Sequence, residues 1–149
     1  RQVLPSKPKR NLCSDKPRQM SGLLHDIGEV MDIETYRELA IRTAPKDSTV
    51  IWTLLHASVG IGGEGGEILD HVKKVAFNGR ELNSNHLVAE IGDVMWYINM
   101  MLVTLGVDWS TVLEKNIAKL ETRYPDLRYD PNRSLNRDVI AEKAAMDAV

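Results

Sequence analysis

Glu64 and Glu67 stand three residues apart, as do Glu90 and Asp93, with twenty-two residues between the pairs. On a helix, side chains at i and i+3 share a face, so each pair can present two carboxylates to one point. Four carboxylates turned inward raise each other's pKa unless a cation compensates. An all-oxygen set of this kind suits a hard divalent ion, Mg²⁺ or Mn²⁺, whose shell water and phosphate oxygens complete. Solvated surface acids are the competing reading. It fits Glu90 and Asp93 poorly, because they flank Ile91 and Val94, and Asp93 is the only acid between Ile91 and Val107. A di-iron centre is disfavoured, since such bundles use Glu-x-x-His. Here His71 follows Glu67 by four residues, and no histidine follows Asp93 at useful spacing.

Groups able to grip a phosphate recur near these acids. Lys74 lies seven residues beyond Glu67, on nearly the same helical face, with Lys73 beside it. Asn116, Lys119 and Arg123 recur at i, i+3 and i+7, and Tyr97 follows Asp93 by four. Acids for a metal together with convergent cations describe a triphosphate site. Gly60-Ile-Gly62-Gly63-Glu64-Gly65 also satisfies G-x-G-x-x-G, but that fingerprint needs β-α-β units around it. No segment alternates with period two over strand length, and Glu64 would repel a pyrophosphate. No Gly-Lys-Ser/Thr follows, which excludes a Walker A loop. Gly65 and Gly66 inside a helix each cost about 1 kcal/mol relative to Ala, so the position is expected to need space.

The elements that must carry these residues are helices. Ile33, Tyr36, Leu39 and Ala40 give a first helix that Pro45 stops. Asp47 or Ser48 is expected to cap a second, running to about Phe77, where Asn78-Gly79 ends it. A third begins near Asn85, carries the apolar stripe Leu87, Ile91, Val94, Ile98, Leu102 and Leu105, and stops at Gly106. Asp108 or Ser110 caps a fourth, through Val112, Leu113, Ile117 and Leu120, ending before Pro125. One short helix is expected after Ser134. The second and third helices can run antiparallel and set the two acid pairs face to face.

A chain of 149 residues, 43% hydrophobic and 27% charged, holds one ordinary globular domain. Its net charge of −2 argues against nucleic-acid binding by bulk electrostatics. The single Cys13 allows no internal disulfide and no cysteine-based zinc site. The apolar run Val50 to Ile61 is too short to cross a membrane. Residues 1–20 are basic without a following apolar stretch, so no signal peptide and a cytoplasmic location are expected. Residues 1–30 read as a flexible basic extension: the first nineteen hold three prolines and six Lys/Arg against one Asp.

GGEGGEILDHVKK, EIGDVMWYI, KNIAKLETRYPD and SLNRD, in that order, resemble the MazG-like all-alpha nucleoside triphosphate pyrophosphohydrolases, above all their small single-domain phage members. The resemblance spans roughly residues 31–137, and Gly65-Gly66 departs from the Ala-Gly usual there. It implies an all-α fold, a four-helix bundle with a short C-terminal helix over 31–149, assembling as a homo-oligomeric dimer or tetramer. It also implies Mg²⁺-dependent cleavage of a (d)NTP to (d)NMP and pyrophosphate, in host cytoplasm if phage-encoded. Carried over by motif, Glu64, Glu67, Glu90 and Asp93 bind metal and catalyse. Lys74, Tyr97, Asn116, Lys119 and Arg123 are candidates for phosphate, and His56, Trp52 and Trp96 for the base. Two other readings remain: hydrolysis of alarmones such as (p)ppGpp on the same scaffold, and a non-catalytic helical interaction module.

Overall fold

The computed structural model describes residues 31–149, and the expected basic extension over 1–30 lies outside the described residues. Asp32 accepts a hydrogen bond from the Thr35 N–H and so starts α1, Ile33–Ala40, which tightens into a 3₁₀ turn, Ile41–Thr43. α2, Val50–Asn78, has Thr49 as its N-cap, in place of the expected Asp47 or Ser48. Thr49 makes no side-chain cap bond, and the first turn is exposed at Val50, Ile51 and Trp52, where water reaches the free N–H groups. Gly79 at φ 67° ends α2 and Gly106 at φ 69° ends α3, Ser84–Leu105, both in the left-handed conformation that glycine adopts without strain.

α2 and α3 run antiparallel side by side. Gly60 meets Tyr97, Glu64 meets Glu90, and His71 meets His86, so α3 descends as α2 rises. At Gly60 a Cβ would stand 2.3 Å from the Tyr97 ring, whereas at Gly65 and Gly66 it would meet nothing within 4 Å. Gly60→Ala is therefore expected to lose about 1–3 kcal/mol by overpacking. Gly65→Ala should gain about 1 kcal/mol from helix propensity, both read by thermal denaturation. A loss at Gly65 instead would mean that something outside this chain fills the space.

α4, Trp109–Arg123, is followed by two helices where one was expected, α5, Pro131–Leu135, and α6, Val139–Asp147. Each has its own cap: Asp130 accepts from the N–H groups of Asn132 and Arg133, and Asp138 from Ala141. The described residues are all-helical apart from turns and loops. The single four-helix bundle that the resemblance implied is not closed within the chain. α2 lies along α3, while the principal partner of α4 is α6. Glu142 on α6, 2% exposed, receives paired hydrogen bonds from Arg123 of α4 and from Arg137, and the two guanidiniums hold its carboxyl far below the ordinary carboxylate range. The first turn of α4 is fixed elsewhere. Trp109 Nε1 donates to Asn99 Oδ1 of α3 at 3.0 Å, and Asn99 Nδ2 donates to the Arg37 carbonyl of α1 at 3.2 Å.

α3 is long and apolar enough to cross a membrane by length and composition, which the sequence reading did not single out. It packs along α2 and α1 and carries Glu90, Asp93 and the buried Asn99, polar groups that are costly against lipid, while only 17% of its apolar window is buried within the chain.

Candidate metal centre

Glu64 on α2 and Glu90 and Asp93 on α3 each offer a carboxylate oxygen, all within 4.8 Å of one another. One turn along α2, Glu67 is exposed and its carboxylate stays outside this group. Burial raises the Glu64 pKa above its ordinary 4.5, and a hydrogen bond with Glu90 and the charges of Glu90, Asp93 and Glu67 push it further up. Among the described residues no Lys or Arg pairs with any of the three, and only His86 Nδ1, 3.2 Å from Glu90 Oε1, approaches them. Three hard oxygen donors without a countercharge fit Mg²⁺ or Mn²⁺ by donor chemistry.

The phosphate and base candidates are distributed unevenly around this cluster. Lys74 is ion-paired with Asp70, which also holds Lys73 at 2.7 Å, and the two lysines pull the Asp70 pKa down to about 2. The Tyr97 ring lies against Gly60, edge-on to Trp96 with centroids 4.9 Å apart. Asn116, Lys119 and Arg123 sit on α4, which packs on α6 and not along α2, so the chain does not carry their stripe onto the acids. Arg123 is engaged by Glu142.

Trp96 is tied into the fold, its indole N–H shared between the Ala40 carbonyl and Thr43 Oγ1. Trp52 is 64% exposed, and His56 is exposed with its ring edge toward Trp96 and Tyr97. Tyr36 on α1 was missed in the sequence. Burial first, and then the charge of Asp93, raise its pKa above its ordinary value of 10. Its place in the first apolar stripe gave only a packing signal.

Residues 53–128 match the family model of the MazG nucleotide pyrophosphohydrolase domain, about half of the chain. This chain belongs to the MazG family. Gene 37 protein of Mycobacterium phage L5 is 35% identical over 101 residues, covering 62% of this chain and 89% of that protein. No solved structure gives a significant match. The MazG segment contains both acid pairs, Lys74, Tyr97 and the whole polar stripe of α4. It stops before α5 and α6, so Arg137 and Glu142 lie outside it.

Proposed function

We propose that the protein is a Mg²⁺-dependent nucleoside triphosphate pyrophosphohydrolase of the cytoplasm, converting (d)NTP and water to (d)NMP and pyrophosphate. The observation that carries this reading is the convergence of Glu64, Glu90 and Asp93, with no Lys or Arg partner among the described residues, inside the MazG segment. These three carboxylates hold the metal, with Mn²⁺ as a substitute. Held there, a divalent ion would supply polarisation of phosphoryl oxygens and positive charge against the negative charge that builds during cleavage of the α–β anhydride.

The chain's own groups do the rest. A carboxylate oxygen of Glu67, outside the ligand group yet one turn from Glu64, orients the attacking water and accepts its proton. Lys74 leaves Asp70 for a phosphate oxygen, and the Tyr97 hydroxyl donates to another. Asn116 and Lys119 reach the phosphates from α4 of a second copy, because within one chain α4 is committed to α6, while Arg123 stays with Glu142 unless that pair opens on binding. A homo-oligomer is further supported by exposed apolar side chains on α2 (Val50, Ile51, Trp52, Leu55, Val59) and on α4 (Leu113, Ile117). Trp52 and His56 are the side chains free to meet the base, and Trp96 acts behind them as a brace.

The test is purified protein with each NTP and dNTP, with and without Mg²⁺, and products resolved by ion exchange. Metal-dependent monophosphate and pyrophosphate are expected. No turnover with either Mg²⁺ or Mn²⁺ would sink the reading. Cleavage of (p)ppGpp in its place would favour the alarmone substrate, and no cleavage at all the interaction module.

A further inference from the structure

Beyond the acids themselves, a closed set of contacts at the α2–α3 turn ends on one of them. His71 on α2 accepts the Asn83 backbone N–H at Nε2, 3.1 Å away, so that nitrogen carries no proton. The Asn83 side chain in turn accepts the N–H of His86, capping α3. The two imidazoles meet edge to face with centroids 4.9 Å apart. His86 is thus fixed twice, by its backbone through Asn83 and by its ring through His71. From that position its Nδ1 lies 3.2 Å from Glu90 Oε1, one helical turn on. The contact is attractive only with a proton on Nδ1, since a ring lone pair facing a carboxylate oxygen repels it. His86 itself stays outside the set of mutually close ligand atoms formed by Glu64, Glu90 and Asp93.

We propose that His86 is a positioning residue for Glu90: its Nδ1–H engages Oε1 and so holds the carboxylate in the orientation in which it would serve as a metal ligand. The proposal rests on the metal-centre reading above and adds to it a residue that no family motif assigned. Its chemical basis is that a ligating carboxylate is held in place by a hydrogen bond from outside the ligand set, and that losing such a partner weakens metal affinity by roughly 10–100-fold. His71 and Asn83 act one step further out, as the support that keeps the His86 ring from turning away.

The experiment measures Mn²⁺ binding by electron paramagnetic resonance of the free ion, on the full chain without nucleotide. His86→Ala is expected to weaken binding roughly 10-fold or more, with the metal-free melting temperature near that of wild type. His86→Asn places its amide nitrogen where Nδ1 stood and should recover most of the affinity. His86→Leu, of similar bulk and without a donor, should not. If Ala perturbs the helix cap, the contrast between Asn and Leu decides alone. Wild-type affinity in Ala, or equal affinity in Asn and Leu, overturns the role of His86 while leaving the metal centre standing. A wild-type protein that binds no Mn²⁺ overturns the metal centre, and this proposal with it.

Discussion

Asp93→Asn is expected to lose Mn²⁺ binding and nucleotide turnover together, with kcat down by about 10³-fold or more, the equivalent of several kcal/mol of lost charge stabilisation. Glu67→Gln should behave differently, keeping Mn²⁺ affinity near the wild-type value while kcat falls by roughly 10²–10⁴-fold, as for a lost general base. The contrast follows from geometry. Asp93 belongs to the group of carboxylates within 4.8 Å of one another, and Glu67 does not. If Glu67→Gln also loses the metal, Glu67 is a fourth ligand and the water must be oriented by another group.

Asp93→Asn has, in addition, an expected signature in heat stability. The folded-state pKa of Glu64 is raised, by burial first, then by Glu90, and then by the charges of Asp93 and Glu67, so its proton is held more tightly in the native state than in the unfolded chain. As pH rises from 4.5 through that folded value, the metal-free native state loses stability, to the burial of the ionised carboxylate first and to the neighbouring charges after it. Asp93→Asn removes one of those charges and should raise the metal-free melting temperature near neutral pH. Added Mg²⁺ should stabilise the wild type by linkage and leave the variant unmoved.

The helix limits that were legible in the sequence have local causes. Asp32, Gly79 and Gly106 act on their own turns, whatever the rest of the chain does. The signals for α5 and α6 were equally local, in Asp130-Pro131 and in Asp138 three residues before Ala141, but a single short helix was expected there. The juxtaposition of Glu64 with Glu90 and Asp93 follows from spacing and one turn between two helices. Spacing did not separate Glu67 from that group, because i, i+3 residues share a helix face whether or not their carboxylate oxygens reach the same point, and exposure does not separate them either, Glu67 and Asp93 both being exposed. Nor could periodicity tell which helix covers α4. The stripe Val112, Leu113, Ile117 and Leu120 marks an apolar face and does not name its partner. Glu142 and Arg123 acquire their relation only through that packing.

Asn99 shows what such tertiary information adds, and it carries the largest stability effect expected in this chain. It lies within a helix rich in apolar residues, and it is 0% exposed. Both ends of its amide are used, Oδ1 by Trp109 at the start of α4 and Nδ2 by the Arg37 carbonyl of α1. Trp109 is itself buried, and the hub therefore joins three helices at a point where α4 has little other packing on the α2–α3 pair. Trp109→Ala is expected to cost about 3–5 kcal/mol, from lost burial and the cavity left behind. Trp109→Phe keeps most of the volume but orphans Asn99 Oδ1, and should cost about 1–3 kcal/mol. Both belong in denaturant unfolding at a fixed protein concentration, since assembly would contribute to stability. Hydrogen exchange locates the effect. With Trp109 removed, α4 and α6 should lose protection before α2 and α3, because α6 is attached to the rest through α4. Equal loss across all four helices would mean that other contacts, such as those between copies, join the two pairs more firmly than this hub does.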